Sequence, residues 1–288
     1  MQSTWLSVHF FHGGDHDRLL QLLVTPAVQQ AGCPYFFIRY WEGGPHIRLR
    51  LHVADERQTE IKRLLEDQAR AYFAAYPSSR QDSAYPSQRL LPNDSWQYIP
   101  YVPETGRYGN VYTVPLAEQQ FHLSSACVLQ SLNPAGALMQ AIRLNLALLQ
   151  ALQLTPLHTL QVCRRFIAAW LPRLFLPEQD RQQQHDHYLQ RMHEKFLAYA
   201  PVLAPAAAEL WQGMEQGNAP PALQTFTEGN RDVFAQYRQQ GFGDEQLAAV
   251  AGSFLHMGHN RLGVSNLDEA YIMYFTCKCL EHIYGIPG

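Results

Sequence analysis

Lysine is nearly missing from this sequence: of 22 cationic residues, only Lys62, Lys195 and Lys278 are not arginine. The formal net charge is -3, so no global cationic footprint marks a nucleic-acid or anionic-membrane partner, and neither is expected. Cysteine is scarce. The five residues at 33, 127, 163, 277 and 279 are an odd number without zinc-type spacing, and they read as free thiols in a reducing compartment. Cys277 and Cys279 fall two apart on an expected helix, where they point to different faces and suit a core. No apolar run reaches the ~20 residues that a membrane-spanning helix needs. The opening MQSTWLSVHFF lacks the basic and long apolar regions of a signal peptide, so a cytoplasmic protein is expected. GxGxxG, GxxxxGK[ST] and GxSxG are all absent, which leaves nucleotide-binding and hydrolase readings unsupported. His185, His187, His193 and Glu194 fit neither HExxH nor a Cys/His framework; they read as a solvated helix face, and no metal is expected.

Core-forming residues are plentiful. Hydrophobic residues make up 47% of the 288, enough for one large domain or two packed subdomains. Ser3 to Phe11 predicts a strand. Asp15 then offers an N-cap for a helix over Arg18 to Gln30. Two strands follow, Tyr35 to Trp41 and His46 to Val53, and then a helix from about Asp55 to Ala75. Arg80 to Asp94 reads as a loop, and Ser95 to Val102 as a strand that Pro100 confines to an edge or an end. The order β-α-β-β-α-β predicts a ferredoxin-like α+β layer over residues 1–113. Residues 114–288 are expected to form a mostly helical subdomain, with segments over Leu116 to Ser131, Gly136 to Leu152, Leu157 to Leu174, Glu178 to Tyr199, Ala206 to Gly217, Pro221 to Gln239, Gly243 to Leu255 and Leu267 to Tyr284. The prolines at 172, 177, 201 and 205 are read as punctuation between them.

The stretch YFFIRYWEGGPHIRLRLHV carries the first candidate chemistry. Glu42-Gly43-Gly44-Pro45 makes a tight turn, since glycine supplies the positive φ a hairpin requires. Beyond it His46, Arg48, Arg50 and His52 point to one face, and Ile47, Leu49, Leu51 and Val53 to the other. The apolar face belongs on a core. The cationic face either meets solvent or holds carboxylates, because guanidiniums about 6.5–7 Å apart along a strand can each grip an anion by a bidentate fork.

Two further segments stand out. Tyr101 to Asn110 places Glu104 and Arg107 among Pro103, Gly106 and Gly109, at the handover from strands to helices; it fits a functional loop or a simple turn. SFLHMGHNRLG ends a helix at Gly263, with His256 and Asn260 on one face, and fits an active site or capping plus a core histidine.

Together, FFIRYWEGGPHIRLRL, YVPETGRYG and HMGHNRLG, preceded by TWLSVHFF, resemble the C-terminal domain of lantibiotic dehydratases in order and rough spacing. That domain also occurs alone in thiopeptide and related peptide pathways. The resemblance implies a lyase that eliminates glutamate from glutamylated Ser or Thr of a ribosomal precursor peptide, leaving dehydroalanine or dehydrobutyrine. It implies Arg48, Arg50, Glu104, Arg107 and His256 as catalytic residues. His46, Arg39, Tyr108, Asn260 and Arg261 are expected to bind substrate. No cofactor is implied. A separate glutamyl-tRNA-dependent protein would have to supply the ester, because the glutamylation domain is missing. Asn110 departs from the family pattern, in which glycine is usual. A thiopeptide [4+2] cycloaddition (pyridine) synthase shares the resemblance but does not depend on the Arg/Glu/His set, so its retention favours elimination. A non-catalytic precursor-binding partner would instead offer an open strand edge.

Overall fold

Alternation of apolar and polar residues builds the first layer. In the computed structural model, which describes residues 3–84, 89–132 and 136–286, Ser3–Phe11 (β1), Tyr35–Tyr40 (β2), His46–Ala54 (β3) and Ser95–Tyr98 (β4) form one antiparallel sheet in the order β2-β3-β1-β4. This is the ferredoxin-like arrangement expected from the element order, with the HxRxR strand inside the sheet and β4 at an edge. β4 stops at Tyr98 rather than Val102, and Pro100, lacking an N–H, cannot extend the ladder. Residues 85–88 of the expected loop lie outside the described residues.

Helices α1 (His16–Leu19) and α2 (Thr25–Ala31) are joined by a π-helical turn over Leu20–Val24, so the helix expected there is continuous but locally widened. Asp15 caps it, its carboxylate accepting from the N–H groups of Asp17 and Arg18, and Gly32 ends it at φ 59°. Gln58–Ala75 forms α3. Leu19, Leu23, Val24, Ile61, Leu65 and Ala69 are buried, as are Val8, Phe10, Ile47, Leu49, Leu51 and Val53 of the sheet. Each such large side chain is worth roughly 1.5–3 kcal/mol relative to exposure.

The chain divides into two compact units, Met1–Glu104 with Ser124–Pro134 and Thr105–Leu123 with Ala135–Gly288. The remaining helices are α4 (Val114–Gln130), α5 (Ala137–Ala151), α6 (Pro156–Trp170), α7 (Arg181–Gln216), α8 (Pro221–Gln239), α9 (Asp244–Leu262) and α10 (Glu269–Tyr284). In the second unit α5 is buried almost all round, from Ala141 to Ala151, and α8, α9, α10 and α7 pack against it. A helix without a polar face belongs at the centre of a bundle. α7 corrects the expected break at Pro201 and Pro205: it runs through both as one helix. Both prolines lie on its exposed side, as does Leu197, so the carbonyls they deprive of partners face water, while Met192, Phe196, Leu203 and Trp211 keep the opposite stripe buried. Among the described residues, no helix is long and apolar enough to cross a membrane.

Candidate functional site

Pleat parity assigns every side chain of the first unit's cationic face. Antiparallel pairing sets Ser7 opposite Arg50, His9 opposite Arg48 and Phe11 opposite His46 on one side, and Phe36 opposite Arg50 and Ile38 opposite Arg48 on the other. The cations therefore lie on the face that the apolar core does not use, yet His9, His46 and Arg50 are buried there. Arg48 lies 3.6 Å above the Tyr40 ring, and its Nε donates to His46 Nε2 at 3.1 Å. His46 donates from Nδ1 to the Gly44 carbonyl at 2.7 Å, so its two partners fix it as the neutral Nδ1–H tautomer. Arg50 lies 4.7 Å above the Tyr101 ring and 5.2 Å above Phe36. Trp5 packs edge-on to Phe36 at 4.8 Å, so the guanidinium sits in an aromatic surround.

Burial and the adjacent cations push both histidines of this face down. His9 falls to about 3, through burial and then through His46, Arg48 and Arg50. His46 falls to about 4, through burial, with Arg48, His16 and Arg50 adding to it against the Gly44 hydrogen bond. Burial also lowers Arg48, against the pull of Tyr40, Glu42 and Glu104. Glu42 lies 3.9 Å from Arg48, while Glu104 is exposed within its electrostatic reach.

Arg39 stands elsewhere. It pairs with Ile47, so it points to the helix-covered face opposite Arg48 and Arg50, where it forms an ion pair with Asp17. A residue an odd number of positions from the ladder's partners cannot share their face. Of the residues expected to bind substrate with it, His46 therefore lies on the opposite face of the sheet.

In the second unit two sequence motifs meet. Arg107, in a 3-10 turn over Thr105–Arg107, donates from Nε to Ser253 Oγ on α9 at 3.1 Å. Both line an open cleft of about 380 Å³ with His256, Trp170 and Phe166. Gly109 turns the loop back at φ 109°, and Tyr108 is buried, stacked on Phe254 at 5.6 Å. Tyr108 anchors the loop through its ring, and its carbonyl accepts from Thr113 Oγ1 at 2.7 Å and from Tyr237 at 3.2 Å. Asn110 accepts from the Tyr112 N–H through its side chain at 2.9 Å, a local turn contact compatible with its departure from glycine.

His256 is one-fifth exposed and lies against Trp170 at 4.5 Å. Its Nδ1 is 2.9 Å from Glu269 of α10, which is buried. Burial alone would raise Glu269, but hydrogen bonds from His256 and His259 prevail and hold its carboxyl below the ordinary range. Asn260 follows on α9 at half burial, and Arg261 is fully buried, 5.4 Å from the Phe121 ring. Gly263 caps the helix at φ 75°, as its place after the motif predicts.

Ser7, His9, Trp170 and Glu269 were not singled out by sequence, and Ser253 only as the first residue of SFLHMGHNRLG. For Ser7 and His9 the signal existed, since TWLSVHFF alternates in register with HIRLRLH. Glu269 lies outside every motif, and only the packing of α10 on its neighbours brings it to His256. Among the described residues, no group of three or more His, Cys, Asp or Glu is arranged to hold a metal ion.

Similar folds carry related names. A pyridine synthase, TbtD, from thiomuracin biosynthesis aligns with a TM-score of 0.79 at 18% identity, over 98% of this chain and 99% of that one. TsrL aligns at 0.69 and 16% identity, over 99% and 96%. The tRNA-dependent lantibiotic dehydratase MibB from Microbispora sp. 107891 aligns at 0.55 and 18% identity, over 96% of this chain but 28% of that one. No curated protein matches the sequence. The model of the C-terminal part of lantibiotic biosynthesis dehydratases matches residues 5–280, a span that includes the cationic strand, the Arg107 loop and the His256 helix, and the chain belongs to that family.

Proposed function

We propose that this protein is a lyase that eliminates glutamate from glutamylated Ser or Thr of a ribosomal precursor peptide. The observation that carries this reading is the meeting of Arg107 and His256 on one cleft. β-Elimination needs a base for the Cα proton and a cation for the departing carboxylate. His256 is the base. It takes the proton as the Cα–H bond breaks, the electron pair forms the new double bond, and the Cβ–O bond breaks to release glutamate as a carboxylate. Arg107 steadies that carboxylate. In the first unit, Arg48 and Arg50 present bidentate forks of the kind that grip a carboxylate, on a face where His9 and His46 stay neutral and add no competing positive charge. Glu104 orients Arg48 by charge. A glutamylated precursor peptide is the substrate this chemistry requires.

Mass spectrometry of a synthetic glutamyl-Ser peptide incubated with the protein tests the reading. Loss of one glutamic acid per site, slowed about 100-fold by Arg107→Ala, supports it; an unchanged peptide across several sequences overturns it.

End-to-end likeness to a stand-alone pyridine synthase favours a second reading, formal [4+2] cycloaddition between two dehydroalanines. A bis-dehydroalanine peptide that gains a six-membered nitrogen ring would support it.

A further inference from the structure

We propose that Glu269 is the positioning residue of the cleft: it accepts Nδ1–H from both His256 and His259, leaving His256 Nε2 bare to take a proton while His259 stays a buried imidazolium that balances the carboxylate. This rests on the elimination reading for its use, but not for its geometry.

The argument is one of donors and acceptors. Glu269 lies 2.9 and 3.1 Å from His256 Nδ1 through its two oxygens, and 3.2 Å from His259 Nδ1. An ionised carboxylate only accepts, so both Nδ1 atoms carry hydrogens. For His256 this settles the tautomer, and a neutral ring then has an unprotonated Nε2. His259 is different. Its Nε2 lies 3.0 Å from Asn145 Oδ1 on α5. Asn145 is turned that way by its other contacts: Nδ2 donates to Thr276 Oγ1 at 3.2 Å, and that hydroxyl donates onward to the Ile272 carbonyl at 3.0 Å. Both nitrogens of His259 therefore face acceptors, and both carry hydrogens.

His259, Glu269 and Asn145 are all buried. A lone buried carboxylate is strongly disfavoured, and a fully paired one far less so. The pairing has a functional consequence. With its charge balanced by His259, Glu269 holds the His256 ring in place by a hydrogen bond at Nδ1. The other charged groups on the cleft are Arg107, and Arg165 paired with Glu245. Arg261, on α9, is the remaining buried charge on the His256 helix.

Long-range proton–nitrogen NMR of the full chain labelled with nitrogen-15 histidine tests this near neutral pH, with His256→Gln and His259→Gln assigning the signals. The expected spectrum shows His256 protonated at Nδ1 alone and His259 protonated at both nitrogens. His256 as the Nε2–H tautomer, or a neutral His259, overturns the proposal. Where a variant fails to fold, through-bond backbone-to-ring assignment of the wild-type chain identifies both rings. If the spectrum is as expected and no glutamyl peptide reacts, the elimination reading has failed and the positioning of His256 stands. In an active protein, the acidic limb of the rate profile moves up by about one pH unit in His259→Gln, where the carboxylate is left unbalanced, and down by about one in Glu269→Gln. Equal losses with no shift in either variant would mark Glu269 as merely structural.

Discussion

Arg107 and Ser253 are joined by a 3.1 Å hydrogen bond across 146 positions of sequence. The bond aims the guanidinium along the cleft wall that His256 also lines. Arg107→Ala removes the charge and is expected to lower kcat/KM for elimination by about 100-fold, the scale of losing one charge-stabilising donor. Ser253→Ala keeps the charge and removes this one hydrogen bond, and it is expected to cost about 5-fold, near 1 kcal/mol. A time course of glutamate release from a glutamylated peptide separates the two. Equal effects would show that the hydrogen bond does not aim Arg107.

Arg50→Lys keeps the positive charge but replaces a planar fork with a point donor. A loss of at least about 10-fold in kcat/KM is expected, mostly in KM, with little change in Tm. Thermal denaturation and steady-state kinetics on the same preparation check it. Full activity in the lysine variant would show that charge alone suffices on this face.

Stability should fall in mild acid. His9 and His46 protonate in the unfolded chain near 6.5, but in the folded chain only near about 3 and about 4. Between those values the unfolded state holds the extra protons. Stability is therefore fully present above about 6.5 and lost as pH drops, by about 1.4 kcal/mol per pH unit for each histidine. Denaturant titrations between about pH 6 and about pH 4 measure the slope. His9→Gln should flatten it by about the share of one histidine, and an unchanged slope would refute the assignment.

Gly109 sits at φ 109°, and a Cβ there would meet Phe242 Cζ and Thr113 Oγ1, each at 2.5 Å. Gly109→Ala combines backbone strain with a clash and should cost about 2–4 kcal/mol, seen as a lower Tm. Because Thr113 also holds the Tyr108 carbonyl, elimination should weaken with it. An unaffected Tm would show that the loop has another conformation open to it.

How much of this was legible depends on the range of the forces involved. Strand alternation is local, so the opposite faces of His46–Val53 and the four-strand order followed from period and order alone. The glycine stop at 263 was legible for the same reason. The prolines of α7 were misread because proline's cost depends on which side of the helix meets water, and pattern at Pro201 and Pro205 does not reveal that. The face on which Arg39 stands was not legible from its motif match, which carries no parity, and is set by its pairing with Ile47. Glu269 and Asn145 were invisible for a deeper reason. Each is an ordinary polar residue in an amphipathic or apolar run, and their roles arise only when α5, α9 and α10 are packed.

The two-sided strand β3 has a consequence for how such proteins diversify. Its hydrogen-bond ladder and its apolar side chains are indifferent to what stands at the alternate positions. Point changes on the cationic side can therefore accumulate while the backbone stays in place. A lineage that lost its arginines there would keep its shape, and a new reactivity could be tried without first solving the folding problem again. Proteins named as a dehydratase and as a pyridine synthase, each 18% identical to this chain, share its architecture.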